Sequence, residues 1–193
     1  AYGRTIWSFE AIQVCHLHQS RLIECRPIVA SQRGDFASDV EANWTSLQEA
    51  ARQGPVVEAS PLELHIIERL QQGRDQTAFG DIELHALVKF CELAGALDLR
   101  DGAFRRSSMS REDWRRAGGI GFEIMSGGRA GLATFVRRRW RAHGHEGDID
   151  KRVRSMFGPL DSWLRERRED VGKLRANMFE AVTETVPVGP GDV

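Results

Sequence analysis

The sequence predicts a mainly α fold, a multi-helix domain preceded by a small, irregular, zinc-knuckle-like lead segment. Three observations carry that expectation. Apolar residues recur at three- and four-residue spacing over most of the chain. Serine and aspartate helix-start signals stand directly in front of those stretches. No segment alternates apolar and polar residues for long enough to suggest paired strands. The 193 residues suffice for one core, or for one core with a small appendage.

Residues 1–36 form the lead segment. Trp7, Phe9, Ile12, Val14, Leu17, Leu22 and Ile23 can build a small apolar cluster there, and a loop follows from Ile28 to Phe36. The helical domain spans 37–186. Its first helix is expected from Asp39 to Arg52, with Val40, Trp44, Leu47 and Ala51 on one stripe and Gly54-Pro55 as the stop. Ser60-Pro61-Leu62-Glu63 starts the second: serine caps, proline takes the first helical position, and glutamate reaches back to the cap. That helix shows Leu62, Ile66, Ile67 and Leu70 on one face and ends near Gly73. Asp81 is positioned to cap a third, with Leu84, Leu87, Val88, Cys91 and Leu93 continuing to Gly95. Residues 61–95 are therefore a helix-turn-helix candidate, although such pairs are more often packed hairpins.

Ser110-Arg-Glu-Asp113 is another capping box. It opens a helix with Trp114, Ala117, Ile120, Gly121 and Ile124, which Gly127-Gly128 breaks. The next helix covers Ala130 to Ala142, with Leu132, Phe135, Val136 and Trp140. A final pair spans Ile149 to Arg167, interrupted at Gly158-Pro159, and Asp170 to Thr185. Residues 187–193 are a tail or linker.

Composition narrows the function classes. Formal net charge is -1, which argues against uniform coating of nucleic acid but allows a local basic face. Three scattered cysteines make no disulfide framework and fit a reducing, cytoplasmic setting. No apolar run approaches the roughly 20 residues that span a bilayer, so no membrane partner is expected.

The charge is polarised. Between Arg100 and Arg141 there are eleven arginines against Asp101, Glu112, Asp113 and Glu123. Arg105, Arg106, Arg111, Arg115 and Arg116 stand around the capping box, and Arg137, Arg138 and Arg139 near the end of the following helix. Guanidinium forks match phosphate oxygens, so these eight residues are the candidate DNA-binding set. The competing explanation is a solvated helical face paired with neighbouring acids.

Cys15 and His18 are the candidate metal ligands, because a two-residue gap lets a thiolate and an imidazole turn toward one ion. Tetrahedral zinc needs four ligands. The other cysteines are Cys25, nearby, and Cys91, on an apolar helical stripe where it reads as core. His143, His145, Glu146 and Asp148 lie in a glycine-spaced loop and read as a solvated surface loop rather than ligands. Catalytic constellations are missing. Gly118-Gly-Ile-Gly and Gly127-Gly-Arg-Ala-Gly131 match no phosphate loop and follow no strand, so they read as helix packing and a sharp turn. There is no nucleophile elbow, no His-Glu-x-x-His and no two-metal acidic cluster, and a non-enzymatic role is expected.

Four stretches, in order, resemble the TniQ family of transposition proteins. The lead Trp7-Ser-Phe-Glu-Ala-Ile-Gln-Val-Cys15-His-Leu-His18-Gln-Ser-Arg-Leu22-Ile-Glu-Cys25 has a tryptophan before Cys-x2-His, then a leucine and a cysteine. Glu83 to Gly95, Ala117 to Phe135, and Phe157-Gly-Pro-Leu-Asp-Ser-Trp-Leu164 follow in the same sequence. The resemblance implies a transposition accessory protein without transposase chemistry. Such a protein helps select the target site by binding double-stranded DNA and recruiting a regulator ATPase or other transposition proteins. It also implies that Cys15 and His18 are half of a zinc knuckle whose Cys-x2-Cys half lies before the point matching Ala1. Cys25 continues as Arg26-Pro-Ile-Val where a second knuckle would carry further cysteines. Zinc is thus expected in a longer form of the protein and absent or substoichiometric in this chain. The alternative is a protein-interaction adaptor that docks on a targeting complex or ATPase and touches DNA little.

Overall fold

A computed structural model describes residues 9–23, 36–72, 79–100, 104, 106–143, 149–166 and 171–186. The chain is mainly α: eight α-helices and one two-strand ladder are found among these residues. It divides into two compact units, Ala1–Gln71 and Gln72–Val193.

In the first unit β1 (Val14–Cys15) and β2 (Ser20–Arg21) pair antiparallel, Val14 opposite Arg21 and Cys15 opposite Ser20. Two residues per strand carry no readable alternation, which is why the sequence did not announce them. The expected helix 39–52 is two helices, α1 (Phe36–Ala42) and α2 (Trp44–Gln53). They part at Asn43, whose side-chain amide donates to the Asp39 carbonyl at 2.7 Å, the local competition with the backbone that asparagine brings. No described side chain of α1 or α2 is fully buried, and Trp44 is half exposed.

α3 (Pro61–Gln72) starts as its capping box directs. The Ser60 N–H donates to Glu63 Oε2 at 2.6 Å, and the Glu63 N–H to Ser60 Oγ at 3.3 Å. The same carboxylate does more. Its Oε1 accepts the N–H groups of Gln13 at 2.8 Å and Val14 at 3.0 Å, and the side chain is buried with Ile12, Val14, Leu62, Ile66 and Ile67 around the hairpin and α3. Val57 N–H, donating to the Gln19 carbonyl at 2.8 Å, adds a second tie. The described part of the lead segment, residues 9–23, is therefore tied to α3. Replacing Glu63 with alanine strips three backbone donors of their acceptor and should lower this unit's stability by about 3–5 kcal/mol. Glu63→Gln, which keeps an acceptor oxygen, should lose clearly less. Urea unfolding followed by tryptophan fluorescence checks both; equal losses would mean that the one acceptor oxygen glutamine keeps restores none of the three bonds.

The second unit is built on α4 (Leu84–Arg100). Gly95 was expected to stop this helix, but α4 runs on, because the glycine serves a contact: a Cβ there would overlap the Ala117 carbonyl of α5 (Arg111–Ser126). Reciprocally, a Cβ at Gly121 would overlap the Cys91 carbonyl, so the two backbones touch. Asp81 does not cap α4. It bonds Lys173 Nζ at 2.7 Å, and that hydrogen bond and charge hold its carboxyl below the ordinary range.

α6 (Gly128–His143) follows α5 through a turn in which Gly128 has φ +57. α7 (Ile149–Arg165) is kinked at Gly158, φ +36, before Pro159, as the sequence indicated, and α8 (Gly172–Thr185) closes the unit. Phe90, Leu87, Cys91, Leu97, Phe135 and Leu160 are at the core, and Phe135 meets Phe157 with ring centroids 5.9 Å apart. Burial pushes the Cys91 thiol far above its ordinary value, which fits the core role read for it.

α4 also bears on the helix-turn-helix candidate. It is the second helix of that pair, the one that would enter a groove, yet only His85 and Arg100 along it are exposed. α5 and α7 pack on it, and Val88, Lys89, Glu92 and Leu93 are half-buried.

Candidate nucleic-acid interface

The capping box at the start of α5 fixes one side of the interface. Ser110 Oγ accepts the Asp113 N–H at 3.1 Å, and Asp113 Oδ2 accepts from the Ser110 N–H at 3.1 Å and hydroxyl at 2.9 Å. The Ser110 backbone N–H, then its hydroxyl, and then the Arg100 guanidinium hold the Asp113 carboxyl below the ordinary range.

Two ties from the last turn of α4 gather the arginines. Arg100 reaches Asp113 on α5 at 3.0 Å, and Asp98 meets Arg138 on α6 at 3.0 Å. The first turns of α5 and the last turns of α6, well separated in sequence, therefore lie at one end of the bundle. Arg111 and Arg116 are exposed on α5, and Arg137, Arg138 and Arg141 on α6. No ion pair of Arg116 or Arg137 is found among the described residues. Arg115 is half-buried and meets Glu112 at 3.5 Å. Arg105 and the side chain of Arg106 lie outside the described residues; the Arg106 backbone is in a single 3-10 turn, Arg106–Ser108.

Arg139 leaves the set. It is only 2% exposed. Its Nε donates to the Met156 carbonyl at 3.0 Å and its Nη1 to the Leu97 carbonyl at 3.1 Å. Leu97 is in the last turn of α4, where carbonyls have no intrahelical partner, and Met156 ends the first half of α7, where Gly158 and Pro159 break the ladder. One guanidinium thus closes the C-terminal ends of two helices. The signal was present in the sequence: Arg139 continues the stripe Leu132, Phe135, Val136 by one turn, all buried. Arg175 repeats the device, its Nε donating to the Leu164 carbonyl near the end of α7 at 2.6 Å. Arg129 is likewise occupied, paired with Glu180 at 3.0 Å and with Glu184.

In the first unit, Cys15 Sγ lies 3.4 Å from His18 Nδ1. Zinc bond lengths and a tetrahedral angle give a sulfur–nitrogen edge of about 3.5 Å, so this pair fits two corners of a zinc tetrahedron. Among the described residues no group of three or more His, Cys, Asp or Glu side chains could hold a metal ion, and Cys25 lies outside them. Two donors are fewer than the four that a structural zinc takes. None of the helices among the described residues is long and apolar enough to cross a membrane.

No family model matches the chain, and neither a curated protein nor a solved structure does.

Proposed function

We propose that this chain is a non-catalytic transposition accessory protein of the TniQ kind, which helps select a target site by holding double-stranded DNA and recruiting a regulator ATPase. The observation that supports DNA binding is the convergence of Arg111, Arg116, Arg137, Arg138 and Arg141 at one end of the bundle. Exposed guanidinium groups at one end can engage successive phosphates and release their counterions. Contacts of this kind position a protein on a duplex without reading its sequence. In this reading Cys15 and His18 are two corners of a zinc knuckle of the TniQ kind, which needs two further ligands. Metal loading of this chain is then absent or substoichiometric.

Anisotropy titration of a short fluorescein-labelled duplex tests the DNA contact. Changing Arg116 and Arg137 together to glutamate should weaken binding roughly fiftyfold near 0.1 M salt and flatten the salt slope by about 1.8, two phosphate contacts' worth. Unchanged affinity would remove this end of the bundle from the proposal.

One observation favours the adaptor reading. The α1–α2 pair carries Val40, Trp44 and Leu47 at helical spacing, yet none of them is fully buried. An amphipathic helix with an open apolar stripe suits a protein partner better than a phosphate backbone.

A further inference from the structure

We propose that Asp98 is a built-in counter-ion that a phosphate backbone must displace, so that the Asp98–Arg138 pair sets the affinity of the basic end; this rests on the duplex-binding reading above. Asp98 Oδ1 lies 3.0 Å from Arg138 Nη2, and the two side chains are 23% and 52% exposed. No other hydrogen bond or ion pair of Asp98 is found among the described residues.

The other carboxylates at this end differ in kind. Asp113 is committed to the α5 cap by three bonds from or to Ser110, with Arg100 added. Glu112 lies one turn from Arg115, which is itself mostly covered and presents little to a ligand. Asp98, by contrast, has Arg138 as its one partner among the described residues, and that arginine is 52% exposed. The aspartate gives its own helix nothing in return, because a negative charge in the last turn of α4 opposes the helix dipole. A partly exposed pair of this sort adds little to folding.

A guanidinium fork accepts a phosphate in the same geometry as a carboxylate, so the two compete for Arg138. A phosphate that wins must sit beside the displaced Asp98 and is repelled by it. The wild-type chain then binds more weakly than its exposed arginines would allow, and anything that neutralises Asp98 strengthens it.

The test is a two-by-two set of variants of the full 193-residue chain, titrated against a short labelled duplex over a potassium chloride series. Asp98→Asn should bind about three- to tenfold tighter near 0.1 M salt, with a salt slope steeper by about 0.9. Arg138→Gln should weaken the wild type only slightly, and in its background the Asp98→Asn gain should vanish. A parallel Arg137→Gln background should retain the gain. If the gain persists undiminished in Arg138→Gln, only net charge has changed and the proposal is overturned. It is overturned equally if folded Asp98→Asn binds as the wild type does. Failure of every variant, wild type included, to hold the duplex at the lowest salt would instead sink the duplex-binding reading, and this proposal with it.

Discussion

Arg139→Met should lower the stability of the second unit by about 3–5 kcal/mol, the sum expected for two buried, charge-assisted hydrogen bonds and the carbonyls they leave behind. Replacing a buried ion pair with apolar side chains can be nearly neutral, but here only the donor is removable. The acceptors are the backbone carbonyls of Leu97 and Met156, which no substitution deletes. Lysine is no substitute, since one ammonium lacks the planar fork that reaches two carbonyls in fixed directions. Arg137→Met, two residues away on the exposed side of α6, should stay within about 0.5 kcal/mol. Chemical unfolding followed by circular dichroism would show the difference as a shifted midpoint at unchanged slope. Wild-type stability of Arg139→Met would mean that water reaches both carbonyls, and the capping role would be lost. The contrast also governs any charge-reversal experiment on this helix: a variant that includes Arg139 would lose DNA binding by unfolding.

Gly121→Ala should destabilise by about 3 kcal/mol or more, against the usual sign for this change inside a helix, where alanine is favoured by about 1 kcal/mol. The added methyl would meet the Cys91 carbonyl, a backbone atom that moves only if α4 moves. Separating the helices would loosen the cluster that Ala96 and Leu99 form with Ala117 and Trp114, in a core that has no slack. Gly95→Ala should behave in the same way from the other side, against the Ala117 carbonyl. Gly128→Ala is the comparison: nothing lies within 4 Å of its added Cβ, so the cost is only that of φ +57, about 1 kcal/mol. Thermal unfolding of the three variants ranks them. A Gly121→Ala protein as stable as the Gly128→Ala protein would mean that α4 and α5 do not approach as closely as described.

The legible parts of this chain were those in which local chemistry and tertiary packing agree. Ser60 and Glu63 announced α3, Ser110 and Asp113 announced α5, and Gly158-Pro159 announced the kink in α7, because each satisfies or breaks a ladder within a few residues. What could not be read depends on partners far along the chain. Gly95 looked like a stop until α5 lay against it, and Asp81 looked like a cap until Lys173 claimed it. The arginine cluster was visible as composition, but its division into helix-capping, ion-paired and open members was not. Helix phase alone would have separated Arg139 from Arg137. Asp98 gave no signal, since a lone aspartate near a helix end carries no pattern.

Glu63 has a consequence for the order in which the first unit forms. Its reciprocal bonds with Ser60 close within one helical turn, whereas its bonds to Gln13 and Val14 span 50 and 49 residues. Local closure is fast and long-range closure slow, so the carboxylate is first fixed by its own helix and then waits as a preformed docking point. The hairpin joins late, after α3 exists to receive it. Mutations in the hairpin should therefore speed unfolding and leave the folding rate nearly untouched, and the lead segment should be the first part of this unit to detach under load.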